Sequence, residues 1–154
     1  MIPYLIQALM GALGSVGFAV LFNVRGKRLL LFFLGGALDW IVYLLCIHNG
    51  SSMFVGLLFA TITAAFTSEI FARILHAPVI ILLVPMLIPL IPGGDLYRTM
   101  DALVRGEKAL FLTNCTITVT AAGAICLGII CTTAFFHIVF SVYNHIRKQH
   151  FPHY

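Results

Sequence analysis

The chain has 154 residues, of which 61% are hydrophobic and 9% are charged, and its formal net charge is +4. Soluble domains contain about 45–50% apolar and about 25% charged residues, so this chain lacks the charged surface that a soluble domain needs. Disorder and nucleic-acid binding are excluded as well, because the nine Lys and Arg residues are few and not clustered. The composition therefore predicts an integral membrane protein.

A helix needs about 20 apolar residues to cross the membrane, and the chain has four hydrophobic segments of about this length or more and a fifth that is shorter. With polar turns between them, they extend over residues 2–22, 29–47, 53–75, 78–92 and 109–140. The last segment is longer than one perpendicular crossing needs, so it is either tilted or begins outside the lipid. We predict an all-α integral membrane protein with about five transmembrane helices in a single domain, residues 1–154.

The fourth segment differs from the others because it holds four of the six prolines. Proline removes a helical hydrogen bond and clashes with the preceding turn, so we predict that this span is broken or unwound. The residues that set the break are Pro85, Pro89, Pro92, Gly93 and Gly94. We interpret it as a binding segment whose freed backbone groups hold a carboxylate or a coupling ion. The alternative is a re-entrant structural loop.

A mixed-charge loop, residues 95–108, is predicted to follow the break, and its Tyr97 and Arg98 are close enough in sequence to extend the binding segment. Three acidic residues offset the three basic ones in this loop. The opposite side of the membrane carries six basic residues, namely Arg25, Lys27, Arg28, Arg73, Arg147 and Lys148. The positive-inside rule therefore predicts a cytoplasmic C-terminus and an external N-terminus.

Asp39 lies in the middle of the second span. A carboxylate at the centre of a bilayer costs roughly 2.5–3.5 kcal/mol on insertion scales, so it should face protein or water. Helical periodicity puts it on one face with Gly35, Tyr43 and Cys46. Two interpretations stay open: a proton carrier or counter-charge for a substrate amine, and a structural hydrogen bond, including one to a partner subunit.

Glu69 and Arg73 are four residues apart near the end of the third span, in the favourable order for a helical ion pair. Small and polar residues share one broad face with Glu69, and that face is either a helix-packing surface or a permeation wall; they are Thr61, Ala65, Ser68 and Ala72. A glycine-rich stretch in the first span is predicted to pack against a neighbouring helix, through Gly11, Gly14 and Gly17.

The fifth span opens with a polar stretch around Asn114, which can hydrogen-bond either neighbouring helices or a ligand. The cysteines have no metal-ligand spacing, and we expect them to be small core residues; they are Cys46, Cys115, Cys126 and Cys131. No GxSxG, HExxH or P-loop motif is present in the sequence. We therefore predict neither an enzyme nor a bound cofactor or metal.

Two stretches carry a resemblance to the bacterial threonine/serine exporter family: GFAVLFNVR at residues 17–25 and VPMLIPLIPGGDLYRTM at residues 84–100. The chain is most similar to the small subunit of the split form, which corresponds to the C-terminal half of the fused exporter. Many relatives have proline where this chain has Arg25. The resemblance implies a subunit of the bacterial cytoplasmic (inner) membrane that works with a larger transmembrane exporter subunit. It also implies proton-driven export of threonine and serine, although one split pair is associated with succinate.

The resulting hypothesis is a secondary-transporter subunit. The broken segment offers backbone groups to the substrate, Asp39 takes a proton or pairs with the amine, and Glu69 gates or couples at the inner side. Asn23 and Tyr97 shape the two ends of the pathway. The alternatives are a dicarboxylate (succinate) exporter subunit and a structural or assembly subunit that scaffolds a larger partner in the lipid bilayer.

Overall fold

The computed structural model describes the backbone of residues 2–150 and the side chains of residues 4–142. All regular elements in this range are helices. The two short 3₁₀ helices are Gly26–Arg28 and Ile88–Leu90. The α-helices are α1 (Ile2–Leu21), α2 (Leu29–His48), α3 (Met53–Leu75), α4 (Val79–Leu87), α5 (Gly93–Val104) and α6 (Lys108–His150). The predicted all-α fold is confirmed.

Four helices are long and apolar enough to cross a membrane, and a bent pair can provide a fifth crossing. The pair consists of Val79–Leu90 and Gly93–Val104, whose axes differ by 61°. The predicted break is therefore present, but it begins later than Pro85, which stays inside α4. Buried neighbours on α4 hold that turn in place, because Leu82, Leu83 and Met86 pack into the core.

The predicted mixed-charge loop over residues 95–108 is wrong, because most of this segment forms α5. Its charges are spaced for a helix: Arg98 pairs with Asp95 at 3.3 Å and Arg105 pairs with Asp101 at 3.0 Å. Such pairs, three or four residues apart, stabilise a helix by about 0.2–0.5 kcal/mol each. The alternation of charge that resembled a loop is therefore the polar side of an amphipathic helix.

The helices pack in the order α1, α2, α3, α6, α5, and α4 contacts α1, α2 and α3. The broken span is thus enclosed on three sides by the first three helices. Its side chains form the core together with Phe32 of α2, which is fully buried. This arrangement places the first half of the broken span, α4, in the interior of the bundle.

Small residues allow the helices to approach closely. The small and polar face predicted on α3 is buried, including Thr61, Ser68 and Glu69, which supports the packing interpretation of that face. The glycine prediction for α1 is confirmed only at Gly11. A methyl group added to Gly14 or Gly17 would meet no atom within 4 Å. The side of α1 that packs on its neighbours is instead lined by Ala8, Ala12, Ser15 and Ala19, which are buried.

The outer surfaces of the long helices are apolar, as expected for contact with lipid. Large hydrophobic side chains such as Leu5, Leu34 and Ile138 are exposed. Cys126 and Cys131 belong to this surface of α6, so the prediction that they are core residues is wrong for these two. Other helices of this chain cover little of α6, so many of its residues face outward. A cysteine thiol is apolar enough to face lipid.

Candidate functional site

Asp39 is a buried polar residue whose position is not explained by its contacts with neighbouring residues. Its side chain has no exposed area, and neither carboxylate oxygen has a hydrogen-bond partner among the described residues. It lies ten residues after Leu29, about 15 Å along α2, which is near the middle of a bilayer of about 30 Å. A buried polar group without a partner is costly, so this carboxylate needs a functional explanation.

Two glycines one turn before Asp39 bring α2 close to its neighbours. A methyl group on Gly35 would lie 2.8 Å from Cε of Met86, and one on Gly36 would lie 2.7 Å from Cβ of Ser15. Both distances are shorter than side chains tolerate. Asp39 therefore lies one helical turn beyond the residues of α2 that contact α1 and α4.

Other buried polar atoms cluster in the same region. The hydroxyl of Ser15 and the indole nitrogen of Trp40 are buried and have no hydrogen-bond partner among the described residues. Ser15 contacts Gly36, and Trp40 is the neighbour of Asp39 in sequence. The hydroxyl of Thr61 is also unpartnered, but it belongs to the α3–α6 contact beside Gly128. Ser15 and Trp40 thus lie at the contact between α1 and α2, and Asp39 lies on α2 next to Trp40 and one turn after Gly36.

The broken span reaches this polar region. A methyl group on Gly11 would lie 3.4 Å from Cβ of Trp40 and 3.5 Å from Cβ of Pro89. Pro89 has no N–H, so the carbonyl of Pro85 cannot receive its usual helical hydrogen bond. A backbone acceptor is therefore released at the depth where Asp39 and Ser15 are buried.

The second half of the break faces outward. Gly93 and Gly94 are exposed, Pro92 is half-buried, and Tyr97 keeps 72% of its surface exposed. Within the described residues, the structure joins Pro85 and Pro89 to the interior. It leaves the other predicted residues of the break on the surface. The residues predicted to form the break therefore fall into two groups, one in the interior of the bundle and one on its surface.

Glu69 is bound to Arg73, as the sequence predicted. One guanidinium nitrogen of Arg73 donates to Oε2 and to the backbone oxygen of Glu69, both at 2.6 Å. The same guanidinium lies over the rings of Phe136 and Phe140, at 4.8 and 4.0 Å from their centroids. Glu69 thus orients a cation that connects α3 to α6.

Asn114 lies on α6 one turn before Thr118, which contacts α5. Its backbone oxygen accepts a hydrogen bond of 2.9 Å from the hydroxyl of Thr118. That hydroxyl also lies 3.2 Å from the hydroxyl of Thr99 on α5. The polar opening of the last span therefore connects two helices of this chain, and the structure does not bring Asn114 to Asp39.

Asn23 lies at the opposite end of α1 from the N-terminus, in a left-handed conformation with φ of 61°. Its Oδ1 accepts a hydrogen bond of 3.1 Å from Nε of Arg25. Both residues line a cavity of about 540 Å³, together with Arg28 and Phe32. The cavity combines these polar side chains with apolar ones such as Leu75 and Leu82.

The family model described as Threonine/Serine exporter, ThrE, matches residues 7–149. The chain belongs to the threonine/serine exporter family. Membership assigns it to amino-acid export across a membrane, and the match includes Asp39, the break and the Asn23 cavity. Neither the curated proteins nor the solved structures contain a significant match to the chain.

In this exporter, the two sequence stretches that carry the resemblance coincide with two polar features of the fold, the Asn23 cavity and the break. Residues 17–25 lead into the Asn23 cavity, and residues 84–100 contain the break. Sequence reasoning missed Arg28 as a lining residue of the Asn23 cavity and Ser15 as a buried polar residue at the contact between α1 and α2. Ser15 has a signal, since it is the one polar residue in the buried alanine stripe of α1.

Proposed function

We propose that this exporter chain is the small subunit of a two-component secondary transporter, with threonine and serine as its first substrates. The observation that carries the proposal is Asp39, a fully buried carboxylate near the middle of α2 that has no hydrogen-bond partner among the described residues. Intramembrane ionisable groups of this kind serve ion and substrate pathways. Family membership supports amino-acid export, and the carboxylate supplies a means of coupling it to protons.

Asp39 couples substrate to proton because a buried carboxylate tolerates only two states. It is either protonated and neutral, or ionised and paired with a cation. The amine of an amino acid is such a cation. Proton and substrate therefore compete for one carboxylate, so that a proton entering from outside releases the amine and the departing proton readies the site again. This exchange couples outward substrate flow to inward proton flow.

The broken span supplies the other half of the substrate contact. The carbonyl of Pro85 and the amide of Gly94 at the start of α5 are polar groups of the kind that half-helices offer to substrate in transporters, whereas the amide of Gly93 donates to the backbone oxygen of Ile91 at 2.7 Å. Helix N-termini favour negative charge, so α5 suits the substrate carboxylate. Asp39 and the break thus address opposite ends of one amino acid.

A larger transmembrane subunit completes the pathway in this proposal. Gly93, Gly94 and Tyr97 are exposed in this chain although they follow directly on the buried half of the break. A substrate path needs those groups enclosed, and the larger subunit encloses them. The resemblance to the split form supports a partner of this kind.

The test is efflux of labelled threonine, serine or succinate from preloaded cells that express this chain, its larger partner, both or neither. Efflux only with both, lost when the proton gradient is collapsed, is the expected result. Full efflux from the partner alone would make this chain a scaffold. Efflux of succinate but not of amino acids would favour the dicarboxylate alternative.

The orientation is part of the proposal: N-terminus outside and C-terminus in the cytoplasm of a bacterial inner membrane. Arg25, Lys27 and Arg28 lie at the same end of the bundle as the end of α3, because Arg25 and Leu75 line one cavity. The side chains of Arg147 and Lys148 lie outside the described residues.

We expect a C-terminal alkaline phosphatase fusion to be inactive and a C-terminal green fluorescent protein fusion to be bright. The phosphatase folds only outside the cytoplasm, so the positive-inside rule predicts this pair of results. An active phosphatase fusion would reverse the orientation. Immunoblots of both fusions control for expression.

A further inference from the structure

The cavity beside Asn23 is built where four helix ends meet. Residues that end α1 and α3 face residues that begin α2 and α4, around a volume of about 540 Å³. Ligand sites for small molecules have volumes of about 300–1,000 Å³. Its walls combine polar and apolar groups; the lining residues used below are Asn23, Arg25, Arg28, Phe32, Leu75 and Leu82.

Two arginines give this cavity its charge, and none of the described residues that line it is acidic. Among the arginines with described side chains, Arg73, Arg98 and Arg105 each form an ion pair with a carboxylate of this chain. Arg25 and Arg28 have no carboxylate within 4.0 Å among the described residues. Arg25 is oriented through Nε by Asn23, which leaves its other N–H groups for a ligand.

The floor of the cavity leads toward Asp39. Phe32 and Leu82 form this floor, and both are buried. Phe32 precedes Asp39 by seven residues, which is two turns or about 10 Å along α2. The next layer is the contact between Gly35 and Met86. The contact between Gly35 and Met86 therefore separates the floor of the cavity from the buried carboxylate of Asp39.

We propose that this cavity recognises the carboxylate of the substrate at the cytoplasmic mouth, through the guanidinium groups of Arg25 and Arg28. The inference rests on the proposed function for the direction of transport. Guanidinium groups bind carboxylates through charge-assisted, often paired hydrogen bonds. The apolar wall of Leu75 and Leu82 accommodates a short side chain. Phe32 closes the cavity until the substrate moves on to Asp39.

An anionic lipid headgroup is the competing ligand, since basic residues at a cytoplasmic surface attract acidic lipids. We favour a free carboxylate because both arginines, although exposed, border a recess that buried Phe32 and Leu82 also line. The experiment below separates the two ligands.

Binding is measured by saturation-transfer NMR on the full chain in phosphatidylcholine nanodiscs, with threonine, succinate and threoninamide as probes. We expect signals for threonine and succinate and none for threoninamide, which lacks the carboxylate. The variant R25Q/R28Q should lose both signals. K27Q is the matched control, because Lys27 lies in the same turn but not in the cavity lining, and it should retain them.

Asn23→Asp is a second variant that keeps both arginines. It places a carboxylate beside Arg25, and Asp tolerates the left-handed backbone that Asn23 adopts. The new carboxylate should occupy the guanidinium groups and abolish the signals as well. Equal signals from R25Q/R28Q and K27Q, or a threoninamide signal equal to that of threonine, would overturn the proposal. So would loss of the wild-type signal when phosphatidylglycerol is added to the discs.

Transport gives an independent readout. In preloaded cells, R25Q/R28Q should raise the KM for internal substrate at least about tenfold with an unchanged maximal rate, because hydrogen bonds to charged groups are each worth about that factor. An unchanged KM beside a working wild type would contradict the inference. Absence of efflux from the wild-type pair would instead count against the proposed function, and the binding signals would still decide the role of the cavity.

Discussion

Replacing Asp39 by Asn is expected to abolish proton-coupled export while the subunit still inserts and assembles. The amide has the shape of the carboxylate but can neither take up a proton nor carry the charge that pairs with an amine. Loss of a charge-assisted contact costs about 1.5–3 kcal/mol, so we expect efflux to fall by about a hundredfold. The measurement is efflux of labelled threonine with and without a pH gradient.

The stability of the same variant separates a transport role from a structural one. In the described residues, Asp39 has no hydrogen bond to lose, and Asn removes a buried ionisable group. The thermal unfolding temperature should therefore be unchanged or higher. If Asp39 instead accepts a hydrogen bond from a partner subunit, Asn still offers an oxygen and flux should persist.

Asp101→Asn is the matched control, because Asp101 is a half-exposed carboxylate paired with Arg105 on α5. It makes the same chemical change outside the polar region of α1 and α2. We expect export close to that of the wild type. Co-purification with the larger subunit verifies assembly for both variants, and normal flux in Asp39→Asn would remove this residue from the mechanism.

The parts of the fold that depend on local chemistry could be predicted from the sequence. Long apolar segments can only be helices at membrane depth, because their backbone groups have no other partners there. The break was predictable because Pro89 and Pro92 lack an N–H, and that loss is a property of each residue by itself. Asp39 was recognisable for the same reason, since the cost of its charge depends on depth alone.

The parts that depend on packing could not be predicted. Pro85 shares the chemistry of Pro89, yet α4 continues through it because its neighbours are held in the core. The cavity at Arg25 brings together the ends of helices that are about 50 residues apart in sequence, as Arg25 and Leu75 demonstrate. No periodicity in one helix indicates which end of another will face it. The contact between Ser15 and Gly36 could not be predicted for the same reason, because it joins two different helices.

The second large effect is expected from Gly36→Ala, which should disrupt the packing of α1 on α2. The added methyl group would lie 2.7 Å from Cβ of Ser15 and 3.2 Å from the backbone oxygen of Gly11, and it would also overlap the serine hydroxyl. The hydroxyl can rotate away, but the other two atoms move only with α1. Overpacking of this kind costs about 1–3 kcal/mol or more, which corresponds to a fall of about 10 °C in unfolding temperature.

Gly14→Ala is the control for this substitution, because a methyl group there would meet no atom within 4 Å. It should leave stability unchanged or raise it slightly, since alanine favours a helix over glycine by up to about 1 kcal/mol. Thermal unfolding of the purified chain in one detergent compares the two variants. An equal unfolding temperature for Gly36→Ala and Gly14→Ala would show that α1 does not approach α2 at Gly36.

The double variant S15G/G36A distinguishes packing from chemistry at the candidate site. Removing the side chain of Ser15 eliminates the two shortest contacts of the new methyl group and leaves the 3.2 Å contact with the oxygen of Gly11, so most of the lost stability should return. If the hydroxyl of Ser15 belongs to the polar region around Asp39, export should recover less than stability does. Parallel recovery of both would mean that Ser15 contributes only shape, and that Asp39 with the broken span carries the coupling without it.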